Sequence, residues 1–416
     1  MNPKILIPAF FLAITPAMAS AQPEGTELKA LRAELIALAQ RLDRLEASNR
    51  ELREENTRLF DASETATETA VKADRKAEDL ARQVADSRAD SWADRIRLKG
   101  DFRMRYENID EQNKSDRNRS RVRARAAILG AVSDDLEVGL GLASGGDDPV
   151  STNQTLGGGG STKDLRLDLA YFKWSGMENT SIVGGKFKNF LHKPGGNGML
   201  WDGDWNPEGV GVAWASNGRF MNLMGTWEES DSNKTTEFSW SIQGGFSTEI
   251  SEGLTLTAGL GYYQFGTQGK GVFYGDDDDF FGNSFDPMAL TYLYDYNELE
   301  LFAELDFSLG GRPANIFLDY VQNQDAPSLD TGYALGLSYG AAKSAGDWQF
   351  SYTWQDLEED AAFGLVSDSD FGGGGTGVRG HILKGGYTLA KNWKANVTYL
   401  INERAVGSGS KRDYDR

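Results

Sequence analysis

The segment RNRSRVRARAAIL, residues 117–129, places an arginine at every second position from Arg117 to Arg125. In a β-strand, successive side chains point to opposite faces, so all five guanidinium groups would share one face. Such a basic face could bind a polyanion such as nucleic acid, or it could line a water-filled space. The composition and the pattern of the remaining sequence distinguish between these two functions.

The composition argues against a nucleic-acid partner. The 416 residues include 62 acidic side chains against 43 lysines and arginines, which gives a formal net charge of -19 that repels polyanions. The chain has no cysteine, so it has no disulfide framework, zinc–thiolate site or cysteine nucleophile. His192 and His381 are its only imidazoles, and no G-x-S-x-G motif of hydrolases occurs. The sequence therefore predicts neither an enzyme nor a bound cofactor.

The first 21 residues, MNPKILIPAFFLAITPAMASA, have the pattern of a secretory signal peptide. Lys4 precedes the apolar run Ile5–Ile14, and Ala19–Ala21 offers a small-residue cleavage site. A membrane anchor is the alternative interpretation, but this apolar run is shorter than the roughly 20 residues of a spanning helix. We therefore expect an exported protein.

Residues 26–90 carry a heptad repeat. From Leu28 to Leu59 leucines recur at alternating spacings of three and four, with Asn49 and Asn56 in two of the core positions. Such a repeat with charged flanks is typical of a coiled coil, in which buried asparagine sets register and oligomer state. A single solvated helix is the alternative, but a helix without a partner does not require apolar residues at this spacing over so many heptads. We predict a periplasmic coiled coil that could also contact the cell wall.

From residue 95 onward the hydrophobic period changes to two, which indicates strands. Tight connections alternate with long polar ones such as 145–163, 190–207 and 358–378, a rhythm typical of an outer-membrane β-barrel. A soluble β-sandwich is the alternative, but it does not easily produce this alternation of short and long connections. The predicted strands lie at about 96–108, 118–132, 135–144, 164–175, 180–189, 208–216, 219–229, 236–249, 253–266, 297–309, 313–323, 331–343, 347–357, 379–389 and 393–404.

The arginine face must point into this barrel. Facing lipid, each arginine would cost roughly 2–4 kcal/mol near the membrane midplane. An inward face this polar requires a lumen that holds water. The expected fold is therefore an all-β transmembrane antiparallel barrel preceded by an α-helical coiled coil.

The number of strands raises a further expectation. Bacterial single-chain barrels have an even number of strands, and an unpaired edge in lipid is costly. Fifteen predicted strands therefore suggest a barrel of about sixteen, spanning residues 95–416, that lacks its last strand. We expect the chain as given to assemble poorly for this reason.

Several segments resemble those of the putative porin family, which comprises exported Gram-negative outer-membrane barrels with an N-terminal coiled coil. The matched features are GGKFKNF and LWDGDWNPEG within residues 184–214, GDFRMRYEN followed by RNRSRVRARAAI, and LELFAELDF. The resemblance implies passive diffusion of small hydrophilic solutes through the outer membrane, commonly by a homotrimer in contact with lipid and lipopolysaccharide. It implies no particular substrate.

The candidate site is a charged constriction. In trimeric porins the third long loop, here 190–207, folds inward, which would bring Asp202, Asp204 and Glu208 to face the basic wall. Alternatively, the arginines pair with nearby acids such as Asp168 to hold the wall, and both interpretations stay open. The acid spacing loosely resembles a calcium loop but lacks its glycine and distal glutamate, so no metal is predicted. The predicted pore-lining basic residues are Lys99, Arg103, Arg105, Arg119, Arg121, Arg123, Arg125, Lys186 and Lys188.

The main functional prediction is a diffusion channel with this constriction. The alternative is an outer-membrane anchor whose coiled coil tethers the membrane to the cell wall or a periplasmic partner.

Overall fold

The structure is a computed structural model that describes residues 25–88, 95–230, 236–405 and 411–416. The chain divides into two compact units, Met1–Asp90 and Ser91–Arg416. The predicted signal peptide, residues 1–21, lies outside the described residues. Within the described part of the chain, no helix is long and apolar enough to span a membrane.

The N-terminal unit contains one helix, α1 (Gly25–Arg88), of 64 residues. After Gly25 the helix has no glycine or proline to interrupt it, and at 1.5 Å per residue it is about 96 Å long. The leucines of the heptad repeat are exposed, for example Leu35 at 62% and Leu52 at 54%. The helix and its apolar face agree with the sequence analysis, and the coiled coil itself stays a prediction.

The second unit is a closed barrel of sixteen strands, in which each strand pairs antiparallel with its neighbour in sequence. The first fifteen coincide one for one with the strands expected from the period of two, and tight turns alternate with long loops as predicted. The strands are β1 (Ile96–Glu111), β2 (Arg117–Ala131), β3 (Leu136–Ser144), β4 (Leu165–Met177), β5 (Thr180–Lys186), β6 (Glu208–Ser216), β7 (Arg219–Glu229), β8 (Glu237–Ser251), β9 (Leu254–Phe265), β10 (Tyr296–Leu309), β11 (Arg312–Asn323), β12 (Thr331–Gly340), β13 (Trp348–Leu357), β14 (Val378–Ala390), β15 (Trp393–Arg404) and β16 (Arg412–Asp415).

Strand β16 closes the barrel. Asp415 is in register with Ile401 of β15 on one side and with Asp110 of β1 on the other. The backbone of Arg416 exchanges two hydrogen bonds with Leu400, at 2.8 and 3.0 Å. No strand was predicted here, because four residues are too few to reveal a period. The expectation that the barrel lacks its last strand is corrected by β16, which pairs with both β15 and β1.

Shorter strands lie in the long loops. Gln154–Thr155 adds a two-residue strand to the barrel sheet beside β2, and Phe285–Asp286 pairs with Thr291–Tyr292 in a separate small hairpin.

The two faces of the barrel wall differ in chemistry. On β1, Leu98 and Phe102 are 79% and 74% exposed on the outer face, as expected of side chains that meet lipid. On β10 the inward side chains of Glu298 and Glu300 are buried. The outward-apolar and inward-polar alternation therefore follows the predicted pattern.

Long loops fold inward and build an apolar cluster inside the barrel, which was not predicted from the sequence. Trp201 and Trp205 of the loop after β5 stack with their centroids 5.0 Å apart, and Trp201 also meets Tyr263 of β9 at 4.9 Å. Phe363, from the loop after β13, packs on Phe265 at 4.9 Å. Burial of these aromatic side chains fills part of the interior and leaves less of it to water.

Candidate functional site

The basic residues of β1 and β2 lie in direct register on the inner face. Arg103 is opposite Arg123, and Arg105 is opposite Arg121. Like charges directly across a strand pair destabilise the sheet unless counter-charges are near. The side chains of Arg105, Arg119, Arg121, Arg123 and Arg125 are only 13–22% exposed, which makes such counter-charges more important. We call the six arginines 103, 105, 119, 121, 123 and 125 the arginine ladder.

Two acids of β1 belong to the same wall. Asp101 accepts hydrogen bonds from Arg123 at 2.8 Å and Arg125 at 2.7 Å. Glu107, 4% exposed at its side chain, bonds to Arg119 and lies 2.9 Å from Arg105. These acids hold part of the ladder in place.

Two loop acids also reach the ladder. Asp204, in the loop 190–207, lies 3.1 Å from Arg125 and 3.4 Å from Arg123. Asp370, in the loop 358–377, lies 2.7 Å from Arg105. Both acids therefore reach the ladder from loops and not from the barrel wall. Asp370 was not predicted from the sequence, because it lies 265 residues from its partner in a loop without periodicity.

Asp202 has a different environment from Asp204. It is 7% exposed and accepts hydrogen bonds from the backbone N–H groups of Asp204 at 2.6 Å and Ser369 at 2.9 Å. Its own N–H donates to Val366 at 2.8 Å. Burial, with the nearby carboxylate of Asp368, raises the pKa of Asp202 to about 7. Asp202 therefore joins the loops 190–207 and 358–377 and does not face the arginines.

The remaining predicted residues lie along the same half of the barrel. Glu208, the first residue of β6, pairs with Lys186 at 2.9 Å. Burial lowers the pKa of Lys188, which follows β5. Lys99 is exposed on β1. Among the described residues, no three His, Cys, Asp or Glu side chains are grouped as metal ligands would be.

The loop 190–207 also contacts the opposite wall. His192 Nε2 lies 3.0 Å from Glu304 of β10, and the same carboxylate accepts the N–H of Gly195 at 2.8 Å. Asn197 donates to Asp319 of β11 at 2.9 Å. Strand β10 lies opposite β2 in the closed order of sixteen strands. The loop therefore crosses the interior from an acidic wall to a basic one.

A cavity of about 670 Å³ lies beside this loop. Its wall comes from β3 to β7, and its other side comes from the loops. Its lining mixes charged and aromatic side chains, among them Asp147, Asp168, Lys186, Asp204, Trp205 and Tyr274. This arrangement is a polar space that can hold water and small solutes.

Solved structures of bacterial porins are similar to this chain. OprB from Pseudomonas putida, in a structure at high pH, is 14% identical, with a TM-score of 0.49 over 77% of this chain and 93% of that one. Salmonella typhi OmpF in complex with daunomycin is 10% identical, with a TM-score of 0.45 over 77% and 96%. A mutant porin of Rhodopseudomonas blastica is 11% identical, with a TM-score of 0.43 over 77% and 97%.

The sequence comparisons give one family. No curated protein matches the chain significantly. The family described as "Putative porin" matches residues 110–271 and 281–413, which make up well over half of the sequence and nearly all of the barrel. The chain therefore belongs to this porin family and is an outer-membrane channel protein.

Proposed function

We propose that this porin forms a water-filled channel for passive diffusion of small hydrophilic solutes or ions through a charged constriction. The constriction consists of the arginine ladder on one side and the loop 190–207 on the other. The observation that carries this proposal is the position of Asp204, which extends from the loop to within 3.4 Å of Arg123 and Arg125.

The distribution of charge supports a selective passage. Basic side chains concentrate on β1 and β2, whereas the acid Glu304 lies on the opposed strand β10. Opposed charges across a narrow space create a transverse field that orients polar solutes and biases ion passage. The aromatic cluster restricts the interior, so the solutes that fit are small.

Planar-bilayer recording of the full chain tests the channel. We expect ohmic conductance, with an ion preference read from the reversal potential in a salt gradient. A unit charge changes the free energy of an ion 4 Å away by about 1 kcal/mol in water, which corresponds to roughly a fivefold change in an equilibrium. Asp204→Asn should therefore shift the ion preference toward anions by up to roughly fivefold. Asp135→Asn, in the tight turn after β2, removes the same charge as a control and should change the preference little. Absence of ohmic channels, or equal effects of the two variants, would contradict the proposal.

We propose the remaining features of the assembly on similar grounds. The outer face meets membrane lipid and lipopolysaccharide, which is consistent with its exposed apolar side chains. The exposed heptad leucines of α1 fit self-association of the helix, and a homotrimer with its N-termini in the periplasm accommodates this. Cross-linking of the full chain in membranes tests the trimer, and protease access from the periplasmic side tests the orientation of α1.

An anchoring function is the second candidate. Two observations favour it: the exposed apolar face of α1, and the aromatic cluster that fills part of the interior. In that case α1 binds the cell wall or a periplasmic partner, and the barrel mainly holds it in the membrane. Deleting residues 26–90 separates the two functions. Loss of envelope integrity on deletion favours the anchor, whereas intact envelope integrity together with conductance retained by the deleted protein supports the channel.

A further inference from the structure

The arginine ladder carries more positive charge than its carboxylates neutralise. Six arginines of β1 and β2 share four carboxylates within 4.0 Å, namely Asp101, Glu107, Asp204 and Asp370. Glu107 and Asp370 also contact Arg416, so they are shared further. Partly buried guanidinium groups without counter-charges are costly, because burial removes the water that would otherwise solvate them.

The shortage of nearby negative charge is greatest at Arg103 and Arg121. Among the described residues, no carboxylate oxygen lies within 4.0 Å of Arg103, whose terminal nitrogen donates to Asn153 Oδ1 at 2.6 Å. The nearest carboxylate oxygen to Arg121 belongs to Glu107, at 3.8 Å, and this oxygen is already bonded to Arg119. The Nε–H groups of Arg103 and Arg121 are buried and lack an acceptor.

These two arginines are neighbours. Arg103 is opposite Arg123, so Arg121 is its diagonal neighbour on the same face, within reach of a long side chain. Asn153 confirms their proximity, because its side chain accepts from Arg103 and its backbone carbonyl accepts from Arg121 at 3.3 Å. Ser151 Oγ, 3.5 Å from Arg121, adds a polar group on the loop side.

We propose that Arg103 and Arg121, with Asn153 and Ser151, form a binding site for a small oxyanion, a carboxylate or a phosphate. Guanidinium groups are planar donors that match the paired oxygen atoms of these anions, and charge-assisted hydrogen bonds of this kind are strong. An oxyanion supplies both the missing negative charge and the missing acceptors. The site rests on the proposed channel function, and it makes small organic acids or phosphate the solutes that dwell at the ladder.

Inhibition of chloride current by inorganic phosphate tests the site. The full chain is recorded in planar bilayers in potassium chloride while sodium phosphate is added, with sodium acetate as a parallel arm that represents carboxylates. We expect phosphate or acetate to reduce the current in a saturable way. Arg103→Gln and Arg121→Gln should each raise the half-inhibiting concentration roughly tenfold or more, since each removes charge-assisted donors.

Two further variants test whether inhibition depends on the geometry of the guanidinium groups or on positive charge alone. Lys391→Gln removes one positive charge from the exposed tight turn between β14 and β15, outside the candidate constriction, and we expect less than a twofold change. Arg103→Lys keeps the charge but loses the planar fork, and we expect it to bind oxyanions more weakly than the unmodified protein. Heat-modifiable mobility on gels verifies that each variant folds, and Arg121→Gln tests the site if Arg103→Gln does not fold.

The outcomes distinguish the site from the channel. Open channels that neither anion inhibits, or equal inhibition of the unmodified protein, Arg103→Gln and Lys391→Gln, would overturn the oxyanion site and leave the channel intact. Absence of channels in the unmodified protein would overturn the proposed function instead.

Discussion

Glu107 offers the sharpest test of how the ladder is held. Its carboxylate is 4% exposed and lies among Arg105, Arg119, Arg121 and Arg416. Replacing it with glutamine keeps the shape and one acceptor oxygen but removes the charge shared by these four guanidinium groups. Removal of one partner from a buried ion pair costs about 3–5 kcal/mol. Because the amide retains a hydrogen bond, we expect Glu107→Gln to lower the free energy of unfolding by about 3 kcal/mol.

The measurement is urea-induced unfolding of the refolded barrel in lipid vesicles, followed by tryptophan fluorescence and by heat-modifiable mobility on gels. Glu137→Gln serves as the matched control, because Glu137 pairs with Arg97, whose side chain is 62% exposed. Exposed pairs contribute about 0–1 kcal/mol, so this control should unfold almost as the unmodified protein does. Adding Arg119→Gln to Glu107→Gln should recover part of the loss, because one uncompensated charge disappears.

Equal stability losses for Glu107→Gln and Glu137→Gln would refute the reasoning. That result would mean that water or ions neutralise the ladder without help from the wall, and that its acids contribute little to the fold.

Three other changes have defined outcomes. Burial raises the pKa of Asp202 to about 7. The junction of the loops 190–207 and 358–377 is therefore most stable below about pH 4, the ordinary pKa range of aspartic acid, and it weakens as the pH rises through 7. Limited proteolysis of these loops between pH 4 and 8 should follow that curve in the unmodified protein, and Asp202→Asn should abolish the dependence. Leu140→Arg, on the outer face of β3, should destabilise the barrel by roughly 2–4 kcal/mol, measured by the same urea unfolding; no loss would mean that this face does not meet lipid. Asn49→Leu should broaden the distribution of oligomers obtained by cross-linking, because it removes a polar residue that the predicted coiled coil would bury and that would set its register; an unchanged single species would contradict the coiled-coil register.

The strands were the part of the fold most accessible from the sequence. An amphipathic strand repeats its pattern every two residues, so β1 to β15 each contain enough repeats to be recognised. The inward direction of the ladder followed from the same alternation and from the cost of charge in lipid. Strand β16 has only four residues, which make just two repeats of this pattern, and this is why it was missed.

The interior was harder to foresee. The loops that build the aromatic cluster are largely polar, and Phe273, Tyr292 and Phe363 follow no period that would mark them as buried. Contacts such as Asp370 with Arg105 join residues far apart in sequence, so they depend on how the loops fold. The sequence therefore indicated that Asp204 could meet the ladder, but it did not distinguish it from Asp202, whose partners belong to another loop.

The course of the loop 190–207 has a mechanical consequence. It is fastened to Glu304 and Asp319 at one end and to Arg123 and Arg125 at the other, so it acts as a strut across the barrel. A cylinder braced in this way resists flattening along the direction of the strut. For the proposed channel, the space left to solutes beside the strut then depends on where this loop is fastened as well as on the circumference of the sixteen strands. Changes confined to this one loop would alter that space without changing the number of strands.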